Sequence, residues 1–454
     1  MRIGFDNEKY QKIQSEHIKE RISQFDGKLY LELGGKLFDD HHASRVLPGF
    51  TPDSKLRMFQ KLSDSIEIVM VISATDIEKN KKRADLGITY DEDVLRLRGE
   101  FQNRGFMVGS VVITHYNGQP AATAFRQRLE REGIKTYYHY LIEGYPHNVS
   151  LIASDEGFGK NDYVETERPL VIVTAPGPGS GKMAVCLSQL YNENKRGVHA
   201  GYAKFETFPV WNLPLKHPVN IAYEAATADL NDVNMIDPFH LEAYGKTAIN
   251  YNRDIEIFPV LNALFEGIYG TNPYKSPTDM GVNMVGFCIS DDQACCEASK
   301  NEIVRRYYDA TNKLARGACN EAEISKIQLL FNQAKINTDF RRTTVAAKNY
   351  KKLTGHTSSA IELEDGTIIT AKSSELLGCS AALLLNVMKH LAGIDHSLKL
   401  LPQSLIEPIQ YTKINYLGGH NPRLHTDEVL VALSVLSEND ENCRHALEQF
   451  YICL

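Results

Sequence analysis

The segment Pro169–Tyr191 constrains the fold more than any other part of the chain, because its hydrophobic pattern changes abruptly in the middle. Residues 170–173 form a continuous apolar run rich in β-branched side chains, which is typical of a strand buried on both faces of a parallel sheet. Three alternate glycines follow between residues 177 and 181. From Lys182 the apolar side chains recur with helical spacing. The segment therefore predicts a strand, a glycine loop and a helix in direct succession.

A glycine loop that opens a helix is a candidate anion site, because the free backbone N–H groups and the positive end of the helix dipole face it. The phosphate-binding motif G-x-x-x-x-G-K-[ST] matches only in part. Pro176 occupies its first glycine position, and Met183, which cannot bind magnesium, replaces its serine or threonine. The alternative is a tight turn with a solvated lysine. The predicted binding residues for a phosphate or carboxylate are Gly177, Gly179, Ser180, Gly181 and Lys182.

Composition excludes several classes of protein. The 454 residues are enough for about three domains and a large core. A net charge of -7 argues against nucleic acid as a partner. The eight cysteines include no CxxC pair, which indicates reduced thiols. Since the N-terminus lacks a signal-peptide core and no apolar run approaches the ~18 residues that span a membrane, we expect a cytoplasmic protein without membrane partners.

Strands and helices are predicted to alternate through the first half of the chain. Such alternation predicts an α/β fold with a parallel, doubly wound, Rossmann-like sheet, in which ligands bind beyond the carboxyl ends of the strands. Polar loops at 114–119 and 153–162 follow this pattern and are candidates for the same crevice, or plain turns. The predicted strands are 66–72, 108–114, 136–142 and 170–173, and the intervening helices include 91–104 and 119–132.

The pattern changes twice along the chain, which predicts three parts. Residues 1–230 are expected to form the Rossmann-like domain with the anion loop, and residues 231–340 a mainly helical domain with helices near 290–316 and 321–336. Residues 341–454 are expected to form a small α+β domain, since a hairpin around Asp365-Gly366 precedes an apolar helix.

Two polar clusters are weighed as metal sites and not assigned as such. Two carboxylates, two histidines and an arginine lie between residues 39 and 45, for which a polar surface loop is the favoured interpretation. Acidic residues recur between 229 and 242, but Asp237 before a proline is better explained as a helix cap. No pair of histidines or cysteines has the spacing of a zinc site, so no metal site and no bound zinc are expected.

Residues 200–218 are predicted to be irregular, because three prolines between 209 and 218 exclude a helix. Long irregular segments are often functional, although a structural wrap packed on the core is the alternative. The segment contains Lys204 and His217, which together with Lys160 are the candidate catalytic residues for charge stabilisation or proton transfer.

Five motifs resemble a known family. These are Leu47–Phe50, Ser154–Asp162, Thr174–Lys182, Lys204–Pro209 and Asn234–Tyr244, and the resemblance to the bacterial domain-of-unknown-function 1846 family extends over the whole chain. It implies a cytoplasmic protein with a Rossmann-like part, a helical part and a small α+β part, and it brings no established reaction.

The functional expectation is an enzyme acting on a nucleotide or on another phosphorylated or carboxylated small molecule. An ATP-like nucleotide with magnesium is a compatible cofactor. A ligand-sensing protein without chemistry and an oligomeric scaffold, with homo-oligomers as partners, are the two alternatives.

Overall fold

The computed structural model describes residues 2–34, 37–38, 40–83 and 86–450, which divide into two compact units. The first unit covers 2–334 and the second 335–450. The predicted boundary near 340 lies close to this division, whereas the helical segment after 230 belongs to the first unit; the three-part division stays a prediction. Among the described residues, no helix combines the length and the apolar character needed to cross a membrane.

The first unit is built on a parallel sheet, as predicted from the alternation of strands and helices. Within the described residues the sheet has seven strands, which are β1 (Leu29–Leu33), β2 (Ile66–Ser73), β3 (Met107–Tyr116), β4 (Lys135–Tyr140), β5 (Leu170–Thr174), β6 (Gly201–Phe205) and β9 (Gly281–Val282). Their order is β4-β3-β2-β5-β1-β6-β9, and every neighbouring pair is parallel. A separate antiparallel pair is β7 (Asn234–Ile236) with β8 (Ile249–Tyr251).

Helices cover the sheet and extend beyond it. Those of the first half are α1 (Asn7–Ser23), α2 (His41–Val46), α3 (Ser54–Gln60), α4 (Ala74–Glu78), α5 (Tyr90–Asn103), α6 (Pro120–Arg131), α7 (Val149–Ile152) and α8 (Lys182–Lys195). Those that follow in this unit are α9 (Pro218–Ala226), α10 (Pro238–Tyr244), α11 (Asn252–Tyr269), α12 (Pro277–Met280), α13 (Asp292–Ala315) and α14 (Glu321–Ala334).

Strand β5 lies in the middle of the sheet, with β2 on one side and β1 on the other. All five of its residues are buried, which confirms the prediction from its continuous apolar run. The chain runs outward from β2 to β3 and β4, and then returns through β5 towards β6. The strand order therefore reverses at β5, and such a reversal is where open α/β sheets bind ligands.

The sheet edge at β6 is completed by residues distant in sequence. Strand β9 pairs with the end of β6, and the side chain of Gln14 on α1 bonds the Val282 carbonyl oxygen at 2.9 Å and the Met284 amide at 2.8 Å. Backbone hydrogen bonds also join Gly4 to Ser290 and Asp291. The N-terminal helix and the segment after β9 therefore close this side of the unit together.

The second unit has its own small core. The hairpin predicted around Asp365-Gly366 is present as β10 (Ser358–Glu362) and β11 (Ile368–Lys372). A buried apolar cluster, which includes Leu385, Met388 and Leu433, joins its helices. The helices are α15 (Arg342–Thr354), α16 (Cys379–Leu391), α17 (Gln403–Asn415), α18 (Thr426–Leu436) and α19 (Glu441–Phe450).

Candidate functional site

The glycine loop joins the carboxyl end of β5 to the first turn of α8. Gly179 and Gly181 have φ angles of 73° and 88°, in the left-handed region that glycine adopts without strain. The Thr114 hydroxyl, at the end of β3, donates a 2.6 Å hydrogen bond to the Ser180 carbonyl oxygen. The loop is therefore held by its own backbone conformation and by a side chain from another strand.

The start of α8 has polar groups available for a ligand. Among the described residues, no side chain caps this helix, although its first amide N–H groups have no partner within the helix. Lys182 is half-buried and has no ion-pair partner in the described part of the chain. The Ser180 hydroxyl is buried and likewise has no described hydrogen-bond partner. These groups form a positive, incompletely satisfied site for an anion.

A cavity of about 720 Å³ borders this helix start. Its volume falls in the range of small-molecule pockets. The lining residues come from the ends of β3 and β4, from the 141–145 and 158–161 segments, and from α8: Thr114, His115, Asn117, His139, Tyr140, Leu141, Ile142, Glu143, Gly144, Tyr145, Phe158, Asn161, Gly181 and Ala184. The predicted candidate loops at 114–119 and 153–162 thus both contribute to the wall of one cavity.

His139 gives this cavity a neutral hydrogen-bond acceptor. Its Nε2 lies 3.2 Å from the carbonyl oxygen of Asp162, which can only accept, so Nε2 carries the proton. Burial lowers the pKa of His139 to about 4, which keeps the ring neutral at physiological pH. The Nδ1 atom is buried without a partner among the described residues. His139 is not among the residues predicted for the site, since a single histidine in a strand carries no local signal.

Gly177 has a different role from the other two glycines of the loop. A β-carbon at this position would lie 2.3 Å from the Tyr90 hydroxyl oxygen and 2.7 Å from the adjacent ring carbon. Tyr90, at the start of α5, is buried against the loop. The absence of a side chain at 177 therefore makes room for a protein side chain.

Lys204 lies in a compact cluster of charged groups at the end of β6. Its ammonium group is 2.8 Å from a Glu206 carboxylate oxygen and 2.5 Å from an Asp254 oxygen on the first turn of α11. Glu32 is the register partner of Lys204 on β1 and accepts a 2.8 Å hydrogen bond from the Tyr202 hydroxyl. Three carboxyl groups therefore surround one ammonium group at a largely buried position.

This excess of negative charge changes the acidity of Glu206. Burial, opposed by Lys204 and reinforced by Asp254, raises the pKa of Glu206 to about 7. Glu206 also borders an enclosed 10 Å³ pocket, which is about the room that one water molecule needs. A carboxyl group of this pKa can accept or donate a proton near neutral pH. The other lining residues are Pro209, Trp211, Ile249, Asn250, Thr278, Gly281 and Asn283.

The Glu32 carboxyl group of the charged cluster acts electrostatically on the cavity wall. Burial and the charge of Glu32 raise the pKa of Tyr145, a cavity-lining residue, to about 12. The pKa of the buried Cys186 thiol on α8 is raised by burial and by Glu32, and the Lys182 ammonium opposes this. The charge of Glu32 therefore influences a residue of the cavity wall and a residue of α8. A glutamate inside the otherwise apolar strand Leu29–Leu33 is the signal that could have identified it.

The other two catalytic candidates lie in different surroundings. Lys160 is exposed and lies between Phe158 and Asn161, which line the cavity. His217 precedes α9 and caps it, and its Nε2 atom is 2.9 Å from an Asp292 oxygen on α13. Lys160 thus adjoins residues of the cavity wall, Lys204 contacts Glu206 and Asp254, and the contacts of His217 are with α9 and α13.

The two polar clusters weighed as metal sites have structural roles. The prediction of a surface loop near residues 39–45 is wrong at His41–Val46, which form α2; residue 39 lies outside the described residues. Asp40 caps this helix because its carboxylate accepts from the Ala43 amide, and its other oxygen pairs with Lys55 at 2.7 Å. The cap predicted at Asp237 is confirmed, since its carboxylate accepts from the His240 amide at 3.0 Å.

Comparison with known proteins identifies matches over nearly the entire chain. The family model for the N-terminal part of the domain of unknown function DUF1846 matches residues 3–335, and the model for its C-terminal part matches 339–451. A UPF0371 protein of Corynebacterium urealyticum is 59% identical over 448 residues, which cover 98% of this chain and 90% of the relative. UPF0371 proteins of Streptococcus thermophilus and Streptococcus pyogenes are 56% and 55% identical, with the same coverage of both chains.

Proposed function

The chain belongs to the DUF1846 family, and we propose that it binds a small anionic molecule, a nucleotide or another phosphorylated or carboxylated compound, at the start of α8. The anionic group lies against the N–H groups of the first helical turn and near the Lys182 ammonium group. The rest of the ligand occupies the 720 Å³ cavity. The observation that carries the proposal is an uncapped helix start with an unpaired lysine, among the described residues, which follows the strand where the order reverses and borders a cavity.

The lining of the cavity favours one orientation of the ligand. The lining residues include one acid, Glu143, and neither lysine nor arginine, so the anionic group is favoured only at the α8 end. Aromatic side chains of Tyr140, Tyr145 and Phe158 line other parts of the wall and offer surfaces for an apolar or aromatic portion. His139 accepts a hydrogen bond from a ligand N–H or O–H group. A nucleotide combines these three features in one molecule.

Magnesium, where it accompanies the ligand, is held by the ligand phosphates and water. Met183 stands at the position that supplies a hydroxyl ligand to the ion in an orthodox phosphate-binding loop. Binding to this loop is therefore expected without magnesium as well as with it.

We also propose that the protein catalyses a reaction of the bound ligand. The cluster of charged groups at Lys204 supports this second proposal. The pKa of Glu206 is about 7, because burial dominates over the attraction of Lys204, and this value suits a general acid or base. A protein that binds the same ligand without turnover is a sensor, and one that binds no ligand is a scaffold.

A thermal-shift screen tests binding first. Nucleoside mono-, di- and triphosphates, sugar phosphates and dicarboxylates are added with and without magnesium, and hits are measured by calorimetry. We expect a phosphorylated compound to raise Tm in a concentration-dependent manner, because a ligand that binds only the folded state stabilises it. Hits incubated with the protein are then analysed by phosphorus NMR for turnover. No stabilisation by any anion at millimolar concentration would overturn the proposal.

A further inference from the structure

Three metal-ligating side chains converge at the start of α13, in a place that the proposed ligand site does not use. Asp292 and Cys296 are four residues apart on this helix and so lie on one face. His217, which precedes α9, lies opposite them. Its Nε2 atom is 2.9 Å from the Asp292 Oδ1 atom and 3.5 Å from the Cys296 Sγ atom. The Cys296 Sγ atom is 3.7 Å from the Asp292 Oδ2 atom.

These separations are close to those of the ligands around one tetrahedral ion. With bonds of ~2.3 Å to sulfur and ~2.0–2.1 Å to nitrogen and oxygen, the edges of the tetrahedron are about 3.5 Å from sulfur to either atom and about 3.3 Å from nitrogen to oxygen. The sulfur–nitrogen distance matches, and the sulfur distance to Asp292 Oδ2 matches within about 0.2 Å. The nitrogen contact is made by the other carboxylate oxygen, Oδ1, so the carboxylate turns on binding to place one oxygen against both partners. The His217 Nε2 and Asp292 Oδ1 atoms are now joined by a hydrogen bond, and their separation increases by about 0.4 Å when the ion binds. We infer that His217, Asp292 and Cys296 bind a divalent transition metal of the zinc and cobalt class, with water as fourth ligand.

The surrounding structure holds these ligands in position. Helices α9 and α13 pack extensively against each other, so the two sides of the site are fixed by the core of the unit. The His217 side chain is 9% exposed, whereas that of Asp292 is 64% exposed. A metal ion therefore reaches the site from solvent and meets a buried imidazole at its inner side. Thiolate, imidazole and carboxylate together suit zinc or cobalt better than magnesium, which prefers oxygen ligands alone.

Charge and proton balance follow from the hydrogen bonds. The His217 Nδ1 atom accepts from the Val219 amide at 3.3 Å, so in the metal-free protein Nε2 carries the proton and donates it to Asp292. On binding, the metal takes the Nε2 lone pair, the ring proton moves to Nδ1 through solvent, and the long bond from Val219 is given up. The Cys296 thiol releases its proton to solvent as the sulfur–metal bond forms. One carboxylate and one thiolate then neutralise the divalent ion.

The expectation of no metal site rested on ligands that are close in sequence. His217 is 75 residues from Asp292 and 79 from Cys296, beyond the reach of any spacing rule. The convergence exists only because α9 packs on α13.

Cobalt titration of the metal-free, reduced full-length protein tests the site. We expect a thiolate-to-cobalt charge-transfer band in the near ultraviolet and visible bands of a tetrahedral ion, both saturating at one cobalt per chain and abolished by one equivalent of zinc. Magnesium is expected to produce neither band. Absence of a saturating charge-transfer band in the wild type overturns the inference.

Two variants connect the spectrum with the residues. Cys296→Ser should abolish the charge-transfer band, and Asp292→Asn should weaken cobalt binding about hundredfold or more, since loss of even an outer-shell partner costs 10- to 100-fold. Asp292 and Cys296 are partly exposed, so both variants should unfold at the wild-type denaturant concentration. Cys379→Ser, at a half-buried cysteine of the second unit, is the matched control and should keep the full spectrum. A charge-transfer band that survives in Cys296→Ser, or wild-type affinity in Asp292→Asn, overturns the inference.

Discussion

The Thr114 hydroxyl and the Ser180 carbonyl oxygen are joined by a 2.6 Å hydrogen bond, although 66 residues separate them in sequence. Both residues are buried. Thr114 belongs to β3, and Ser180 lies in the loop after β5. Strand β2 lies between β3 and β5, so the bond crosses the carboxyl edge of the sheet. The side chain that fixes the glycine loop is therefore also part of the cavity wall.

Replacement of Thr114 by valine should loosen this connection without changing the side-chain volume. The Ser180 carbonyl oxygen loses a buried donor, and we expect the free energy of unfolding to fall by about 1–3 kcal/mol. Denaturant unfolding measures the change. Thr75→Val, at an exposed position, is the control and should stay within about 0.5 kcal/mol of the wild type. Equal stability of Thr114→Val and the control would mean that the loop is held by other contacts.

Removal of the Lys182 side-chain charge should weaken anion binding roughly ten- to hundredfold, since charge-assisted hydrogen bonds contribute about 1.5–3 kcal/mol. Calorimetry with the compound found in the screen compares Lys182→Ala with Met183→Ala. The second variant should bind nearly as the wild type does, because a methionine offers neither a charge nor a magnesium ligand. If Lys182→Ala retains wild-type affinity, the loop is only a turn and the scaffold hypothesis gains support.

A methyl group at position 177 should destabilise the protein through Tyr90. The added β-carbon lies 2.3 Å from the hydroxyl oxygen and within 2.9 Å of two ring carbons, and overpacking of this kind costs about 1–3 kcal/mol. A double-mutant cycle of Gly177→Ala and Tyr90→Ala measures the coupling. In the Tyr90→Ala background the methyl group should cost little. Additive effects of the two substitutions would show that Tyr90 is not the cause.

The pH dependence of stability should report the protonation of Glu206. Its pKa is raised from 4.5 to about 7 on folding, so the folded state binds more protons than the unfolded state between these values. The stabilising contribution is complete below pH 4.5 and is lost as the pH rises through 7. Over this window the free energy of unfolding of the wild type should fall, relative to that of Glu206→Gln, by up to about 1.4 kcal/mol per pH unit.

Unfolding in denaturant at several pH values between 5 and 8 measures this difference. Glu242→Gln, at an exposed position, is the control and should follow the wild type in parallel. If Glu206→Gln also runs parallel to the wild type, Glu206 is ionised throughout and does not serve as the acid–base group.

Local patterns were sufficient to predict most of the sheet. The strands predicted at 66–72 and 108–114 are Ile66–Ser73 and Met107–Tyr116 in the structure, and the central strand was placed by its unbroken apolar run. These signals are local because a strand buried on both faces needs apolar residues at every position. The loop and helix after β5 were found for the same reason, since glycine and helical periodicity act over a few residues.

The chemistry of the site could not be predicted in the same way. Lys204 was identified, but its partner Asp254 lies 50 residues further along the chain and approaches only because α11 begins above the end of β6. The unprotonated nitrogen of His139 depends on one carbonyl oxygen 23 residues away. Burial and hydrogen-bond partners determine the charge environment of Lys204 and the protonation of His139. Both arise from tertiary packing, which residue spacing along the sequence does not reveal.

Because β9 lies late in the sequence, the sheet is completed only late in the synthesis of the chain. Ribosomes release the N-terminus first, yet β6 has no neighbour on its outer side until residues 281–282 emerge. Until then the nascent chain exposes the unpaired edge of β6, and such edges pair readily with other chains. The backbone partners of the Gln14 side chain, at Val282 and Met284, are synthesised about 270 residues after Gln14 itself. Strand β9 is thus the last part of the sheet to be added, and it covers the end of this edge at Lys204 and Phe205.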